Sequence, residues 1–297
     1  MTAEHAVAGK RRLLLACAAA YAAALLAAGG TAAALAGHHP LLVTAAADVV
    51  ATAVIFAFSV GFDNSSLYDP YWSVAPIPIA LAWASEPLGP RAWLVLLLLT
   101  AWGVRLTGNC LQRWRSLADE DFRYREIRAR AGRFYWPASF FAIHLMPTVW
   151  VFLGLLPVFP ALAGPGAPLG WLDLAAALVT GGAIAIEGTA DLQLRRFLVF
   201  RRDPEAVLDT GLWALSRHPN YLGEVLFWWG LYLFGLAAGP ARGWGWTVAG
   251  PLAITALFTF VSVPWMDRRL VQRHPAWAEH MKTCPALLPW PRRAGHK

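Results

Sequence analysis

The stretch Gly211–Gly239 reads GLWALSRHPNYLGEVLFWWGLYLFGLAAG. Its first half sets Arg217, His218, Asn220, Tyr221 and Glu224 within eight residues, and its second half is an apolar run of helix length. Polar and ionisable groups at the mouth of a membrane helix are costly unless they bind something. The stretch therefore predicts a membrane span with a binding site at its entrance. Pro219 suits the first turn of that helix, and the exposed N–H groups of such an end favour an anion such as a phosphate. Arg217 brings a fork of donors and His218 a further one. Asn220 and Glu224, four apart, share a face. Asn220 both donates and accepts, which suits an amide or a ribose hydroxyl. Glu224, one turn into the apolar run, needs a ligand group or a protein cation.

Working outward, the rest of the chain carries the same signature. Of 297 residues 58% are hydrophobic and 14% charged, against about 25% charged in soluble domains. Many of the 16 tryptophans stand near the ends of apolar runs, where amphipathic rings favour the membrane interface. The composition predicts an all-α, polytopic transmembrane bundle. Apolar runs of about 20 residues occur at Leu13–Gly37, Leu41–Phe62, Ala92–Leu111, Pro137–Leu162, Leu169–Ala190, Tyr221–Gly239 and Trp244–Trp265; with the shorter Tyr71–Ser85 they make about eight spans. With the N-terminus inside, the segments Lys10–Arg12, Arg113–Arg133, Arg195–Arg217 and Arg268–Lys297 hold 22 of the 25 basic residues. Arg91 and Arg242 fall outside and Arg105 lies within a span. That asymmetry predicts both termini in the cytoplasm and a full crossing by Tyr71–Ser85. It reads the net charge of +7 as topology plus contact with anionic lipid, not as a nucleic-acid footprint. The first run is too long for the core of a signal peptide. Three scattered cysteines and the lack of an HExxH pattern point to no metal site. Gln112–Trp136 reads as an amphipathic cytoplasmic helix, and no internal repeat is visible.

Two more polar groupings ask for an explanation. Glu187, Asp191 and Arg195 recur every four residues at the end of the sixth run, so they share one helical face. Tyr68-Asp69-Pro70-Tyr71-Trp72 begins the short run, and Arg105 lies inside the next. An intramembrane arginine faces a polar cavity or a carboxylate, so Asp69 and Arg105 form either a structural ion pair or part of a site. Asp48 and His144 read as satisfied core residues.

These blocks together resemble the steroid 5-alpha-reductase superfamily, and within it a bacterial branch of reductase-like membrane proteins. The resemblance rests on Asp69-Pro-Tyr-Trp72, on Trp102-Gly-Val-Arg-Leu106 with Arg113 and Asp119-Glu-Asp-Phe-Arg-Tyr124, on Asp191-Leu-Gln193, and on Gly211-Leu-Trp213 through Arg217-His-Pro-Asn-Tyr-Leu-Gly-Glu224. Pro264-Trp-Met-Asp267, His274-Pro275 and Leu288-Pro289 add a weaker block. The resemblance covers roughly residues 60 to 290. It implies a seven-helix reductase-like domain at 41–290, preceded by an extra N-terminal span at 1–40 and followed by a cytoplasmic tail at 291–297, in a bacterial inner membrane. It implies an enzyme that uses NADPH to reduce a carbon–carbon double bond conjugated to a carbonyl in a lipid or sterol-like substrate. Asp191 and Asn220 would contact the cofactor, Tyr221 and Glu224 would shape its pocket, and Arg195, Arg217 and His218 would supply donors. Asp69 stands near the family's substrate-side acid. Where the family has a tyrosine partner for that acid, near Arg105, this chain has Trp102, so either Tyr68 or Tyr71 is expected to polarise the carbonyl or the substrate differs from a steroid. No GxGxxG follows a strand, so the cofactor would not sit in a Rossmann fold.

The Arg-His-Pro-x-Tyr-x-Gly block is also similar to that of isoprenylcysteine carboxyl methyltransferases, which use S-adenosylmethionine. A membrane methyltransferase is therefore the main alternative, and a non-enzymatic lipid-binding protein the second.

Overall fold

A computed structural model describes residues 3–164, 168–239 and 244–289. The expected tail at 291–297 and the outer-loop Arg242 lie outside these residues. In chain order the long elements are α1 (Ala3–Ala34), α2 (Pro40–Gly61), α3 (Pro90–Arg113), α4 (Phe122–Ala131), α5 (Met146–Leu155), α6 (Trp171–Phe200), α7 (Pro219–Ala237), α8 (Ala249–Leu257), α9 (Val263–Arg273) and α10 (Ala276–Thr283). No β-strand forms among the described residues. The ends of these helices follow local chemistry. The His39 ring accepts from Leu41 N at 3.2 Å and Pro40 opens α2. Asp121 caps α4 by accepting from Arg123 N at 2.8 Å, and Gly132 (φ +52°) ends it in the left-handed conformation that glycine tolerates.

Six stretches are long and apolar enough to cross a membrane: Val7–Ala34, Pro40–Gly61, Pro90–Arg113, Phe122–Leu162, Trp171–Phe200 and Gly245–Arg273. They coincide with six of the eight expected runs. The expected crossing at Tyr71–Ser85 is not among these stretches. That segment folds as the turn Tyr71–Val74 and the eight-residue helix Pro76–Trp83, about 12 Å long, against a hydrocarbon core of about 30 Å. Pro76 and Pro78 supply no N–H to extend it. The remaining run forms α7, 19 residues long, whose apolarity is diluted by Asn220 and Glu224 in its first turns.

The chain divides into two compact units. The first comprises residues up to 88, 99–153 and 162–164. Here α1 packs on α2 through small side chains. Ala16, Cys17, Ala20 and Ala24 are buried on α1, and Cys17, Ala20 and Ala24 sit in one core with Ile55, Tyr68 and Tyr71, the close approach that small residues permit between membrane helices. Lys10 donates to the carbonyls of Leu111 and Trp114, tying α1 to the C-terminal end of α3. A π-turn at Phe140–Leu145 carries the buried His144.

The second unit comprises residues 89–98, 154–161 and those from 165 on. Its centre is the antiparallel pair α6 and α7. A side chain at Gly223 would meet Glu187 Cβ at 2.7 Å and the Ala183 carbonyl at 2.9 Å, and one at Gly230 would meet the Thr180 backbone at 2.9 Å. Glycine is what lets the two backbones close on each other. At the far end of α6, Asp173 is gripped by Arg91 at 2.6 and 2.8 Å and accepts from Gly170 N at 2.8 Å.

The glycine contacts make a direct prediction. Gly223→Leu and Gly230→Leu each overpack the α6–α7 seam and lower stability by about 1–3 kcal/mol. Gly182→Leu, where nothing lies within 4 Å of a new Cβ, leaves it unchanged. Thermal unfolding of the three purified variants in one detergent checks the contrast.

Candidate functional site

In the second unit the arginine and histidine of the opening motif converge on one carboxylate. Arg217 Nη2 donates to Asp267 Oδ2 at 2.8 Å, and His218 Nε2 lies 2.9 Å from Asp267 Oδ1. Trp277 Nε1 donates to the same Oδ1 at 3.0 Å. All four residues are buried. The other Arg217 nitrogen, Nη1, donates to the carbonyls of Cys284 (2.6 Å) and Met281 (3.3 Å). The backbone joins in: Arg217 N donates to Pro285 O at 2.9 Å and His218 N to Ala286 O at 3.2 Å. Together these bonds clamp the segment after α10 onto the start of α7. Arg217 and His218, expected as cofactor donors, are thus directed at the protein's own acid.

Asp267 itself was missed by sequence reasoning as a functional position. Its signal was a carboxylate one turn from the end of an apolar run, which needs a cation. The cations stand 50 and 49 residues earlier, and no helical periodicity spans such a gap.

The other motif residues fall into place around α6 and α7. Gly223 lies opposite Glu187 and Gly230 opposite Thr180. Seven residues forward on α7 therefore match seven back on α6. The same register sets Asp191, one turn past Glu187, level with Pro219 and Asn220. Glu224 Oε1 accepts from Trp228 Nε1 at 2.8 Å, within its own helix. The Tyr221 ring stacks on His218 with centroids 5.3 Å apart and planes 13° apart. Asn220 is half-buried, and its Oδ1 is buried with no hydrogen-bond partner. Asp191 is half-buried and Arg195 exposed.

The Asp191-Leu-Gln193 and Gly211-Leu-Trp213 blocks meet here. Gln193 Oε1 accepts from Leu212 N at 3.0 Å, and Trp213 Nε1 donates to Ala190 O at 3.1 Å. Gly211 has φ +61° and the Gln193 amide against the place of a Cβ, a conformation that favours glycine.

The first unit holds the second cluster. Asp69 is half-buried and accepts a hydrogen bond from the Tyr124 hydroxyl. Next to it Arg123 grips Asp121 at 2.8 Å, and Asp121 N donates to Ser66 Oγ at 2.9 Å. Glu120 Oε1 accepts from Ser65 N at 2.9 Å and from Tyr135 at 3.0 Å. The loop before α4 is thereby fastened to the Ser65–Tyr68 turn. Burial raises the Asp69 carboxyl to about 6; Asp121 adds to the rise, while Arg123 and the hydrogen bonds of Tyr124 and Ser66 oppose it. Burial likewise holds the Tyr68 hydroxyl well above its usual range.

Tyr68 and Tyr71, expected beside the substrate carbonyl, have other uses. The Thr148 hydroxyl donates to the His144 carbonyl at 2.9 Å, so it can only accept from Tyr68, 2.8 Å away. Tyr71 donates to Asp48 Oδ1 at 3.1 Å. The tyrosine that meets Asp69 is Tyr124, 55 residues downstream. Trp102 is fully buried and packs edge-on against Trp72 at 5.8 Å. Arg105 is half-buried on α3.

Residues 55–284 match the profile of the family described as "Protein of unknown function (DUF1295)", and the chain belongs to that family. The matched stretch contains Arg217, His218, Asp267 and Trp277 of the one cluster and Asp69, Glu120, Asp121, Arg123 and Tyr124 of the other. An uncharacterised protein of Schizosaccharomyces pombe is 28% identical over 231 residues, which is 69% of this chain and 67% of its own length. No solved structure matches the chain.

Two outcomes follow from the geometry. Asp267→Ala strands a buried guanidinium, and removing one partner of such a pair costs about 3–5 kcal/mol; a thermal melt of the variant shows a large drop. The Asp69 carboxyl binds its proton more tightly in the folded protein than in the unfolded chain. Stability therefore falls as pH rises from about 3.8 through about 6. Melting temperatures measured across that range show the fall in the wild type, and the slope is shallower in Asp69→Asn.

Proposed function

We propose that this member of the family is a membrane oxidoreductase that uses NADPH to reduce an enone-type double bond in a hydrophobic, lipid or sterol-like substrate. The observation that carries the reading is the Asp69–Tyr124 pair. It supplies the acid–tyrosine combination that the resemblance to the steroid 5-alpha-reductase superfamily calls for, although the tyrosine comes from a different place in the chain. The reading also takes both termini to face the cytoplasm, from the distribution of basic residues, which requires the chain to cross once at Tyr71–Ser85.

The residues fit part of the cofactor. The buried Asn220 Oδ1 has acceptor capacity that no protein group uses, and its amide suits a carboxamide or a sugar hydroxyl. Asp191, level with it, is a second acceptor. Arg217 and His218 are largely committed to Asp267, so phosphate contacts fall to the exposed Arg195 and to the N–H groups at the start of α7.

NADPH, when bound, supplies a hydride to the carbon β to the carbonyl. The chain's own task is then to stabilise charge on the carbonyl oxygen and to deliver a proton. An acid raised to about 6 is close to the value at which a group both gives and takes a proton near neutrality. Tyr124 donates its hydrogen to Asp69, and the pair is the source of the proton in this reading. A donor placed at the developing oxyanion in a low-dielectric setting contributes strongly to the rate. Tyr68 stays neutral and gives its hydrogen to Thr148, which leaves it a positioning role.

Titration of the purified protein with NADPH and with S-adenosylmethionine tests the reading. NADPH is expected to bind, and Asn220→Ala to weaken it about tenfold, the worth of one well-made hydrogen bond. Asp69→Asn and Tyr124→Phe are expected to keep NADPH affinity and to lower turnover of hydrophobic enones about a hundredfold or more. Binding of S-adenosylmethionine alone would replace the reductase with a methyltransferase. Binding of neither would favour a lipid-binding protein.

A further inference from the structure

The buried face of α2 carries polar side chains along its length, namely Thr44, Asp48, Thr52 and Ser59. Three of them are satisfied inside the first unit. Thr44 donates to the Pro40 carbonyl at 2.9 Å and accepts from Trp83 Nε1 at 3.0 Å. The Thr148 hydroxyl has given its hydrogen to His144 O, so Thr52, 2.8 Å away, donates to Thr148. Ser59 lies between the Ile55 carbonyl at 3.0 Å and His144 Nε2 at 3.1 Å.

Asp48 differs from the other three. It stands eight residues after the start of α2, about 12 Å along the helix, and keeps 6% of its surface open. Its Oδ1 accepts from Tyr71, and no hydrogen bond to Oδ2 forms among the described residues. An ionised carboxylate with one hydrogen bond is costly at that depth. The neutral acid is favoured there, as in enzymes whose buried carboxylic acids act as donors. A neutral acid has an O–H that needs an acceptor, and no hydrogen bond among the described residues supplies one. The surroundings are aromatic: Tyr71 packs against Tyr68 with centroids 5.6 Å apart and against Tyr21 at 5.9 Å.

We propose that Asp48, its carboxyl held by Tyr71, donates a hydrogen bond to the carbonyl oxygen of a hydrophobic, uncharged ligand inside the first unit. An anionic headgroup would be costly to bury in this aromatic setting with no cation beside it, and a pure hydrocarbon would leave the O–H unsatisfied. A ketone or aldehyde on an apolar body meets both conditions. The inference stands apart from the proposed reduction: Asp48 precedes the family-matched residues 55–284, and the interaction needs no cofactor.

Infrared difference spectroscopy of the purified full-length protein tests it, with a long-chain methyl ketone as probe and the alkane of equal length as control. The wild type is expected to show a protonated-carboxyl band that Asp48→Asn removes and that the ketone moves to lower frequency. The ketone is expected to bind about tenfold more tightly than the alkane, and Asp48→Leu to abolish that preference. A spectrum in which Asp48→Asn removes no such band overturns the proposal. So does a band that the ketone leaves in place, or equal binding of ketone and alkane by the wild type. The last two measurements use the unmodified protein, so a variant that fails to fold does not blunt the test.

Discussion

Asp267 is a carboxylate near the end of an apolar helix, buried and out of reach of bulk water. Left alone it would cost several kcal/mol. The second unit is arranged to prevent that. Arg217 and His218 come from the loop before α7, and Trp277 from α10, and each points a hydrogen at it. Arg217 then uses Nη1 on the carbonyls that end α10. One buried charge thereby fixes the start of α7, the end of α9 and the chain beyond α10 in a single arrangement. The same commitment decides what the motif can offer a ligand. The most basic residues of the opening stretch are spent on folding, and the amide of Asn220 beside them is left with unused capacity.

The first unit obeys the same rule with hydroxyls. Thr148 donates to a backbone carbonyl, and that single fact sends the hydrogens of Tyr68 and Thr52 to Thr148. Tyr71 serves Asp48, and Tyr124 serves Asp69. Once the tyrosine hydrogens are assigned, the remaining proton chemistry belongs to the two carboxyls. Their settings differ. Asp69 sits in a cluster with Asp121 and Arg123 ahead of the short Tyr71–Val74 turn, while Asp48 lies in α2 with the Tyr71 hydroxyl on its carboxyl. Carboxyls in unlike environments take unlike roles, which is why a proton carrier and a hydrogen-bond donor are assigned separately.

The sequence made six crossings readable, because long apolar runs need no partner to declare themselves. At Tyr71–Ser85 hydropathy counts an apolar run of fifteen residues, while the helix that Pro76 opens there is eight residues long. Composition showed that Arg217, His218, Asp69 and Glu224 needed partners. It did not show which, since Asp267, Tyr124 and Tyr135 meet their partners through folds of the chain that no local period encodes. Trp102 illustrates the same gap. Its position matched that of the missing tyrosine, yet its ring packs on Trp72, and the acid's partner arrives from α4.

Glycine spacing, by contrast, was in the sequence and decides the candidate cofactor cluster. Gly223 and Gly230 are seven apart, close to two helical turns, so both present bare backbone to α6 along one stripe. Closure at those two points fixes the antiparallel register of α6 and α7. That register sets Asp191 level with Pro219 and Asn220, with Arg195 one turn beyond. A rotation of α7 by one residue, about 100°, would carry Asn220 off that face and put side chains where backbone now touches backbone. The polar residues of the two motifs act as neighbours because two glycines between them and the middle of the helix permit no other fit.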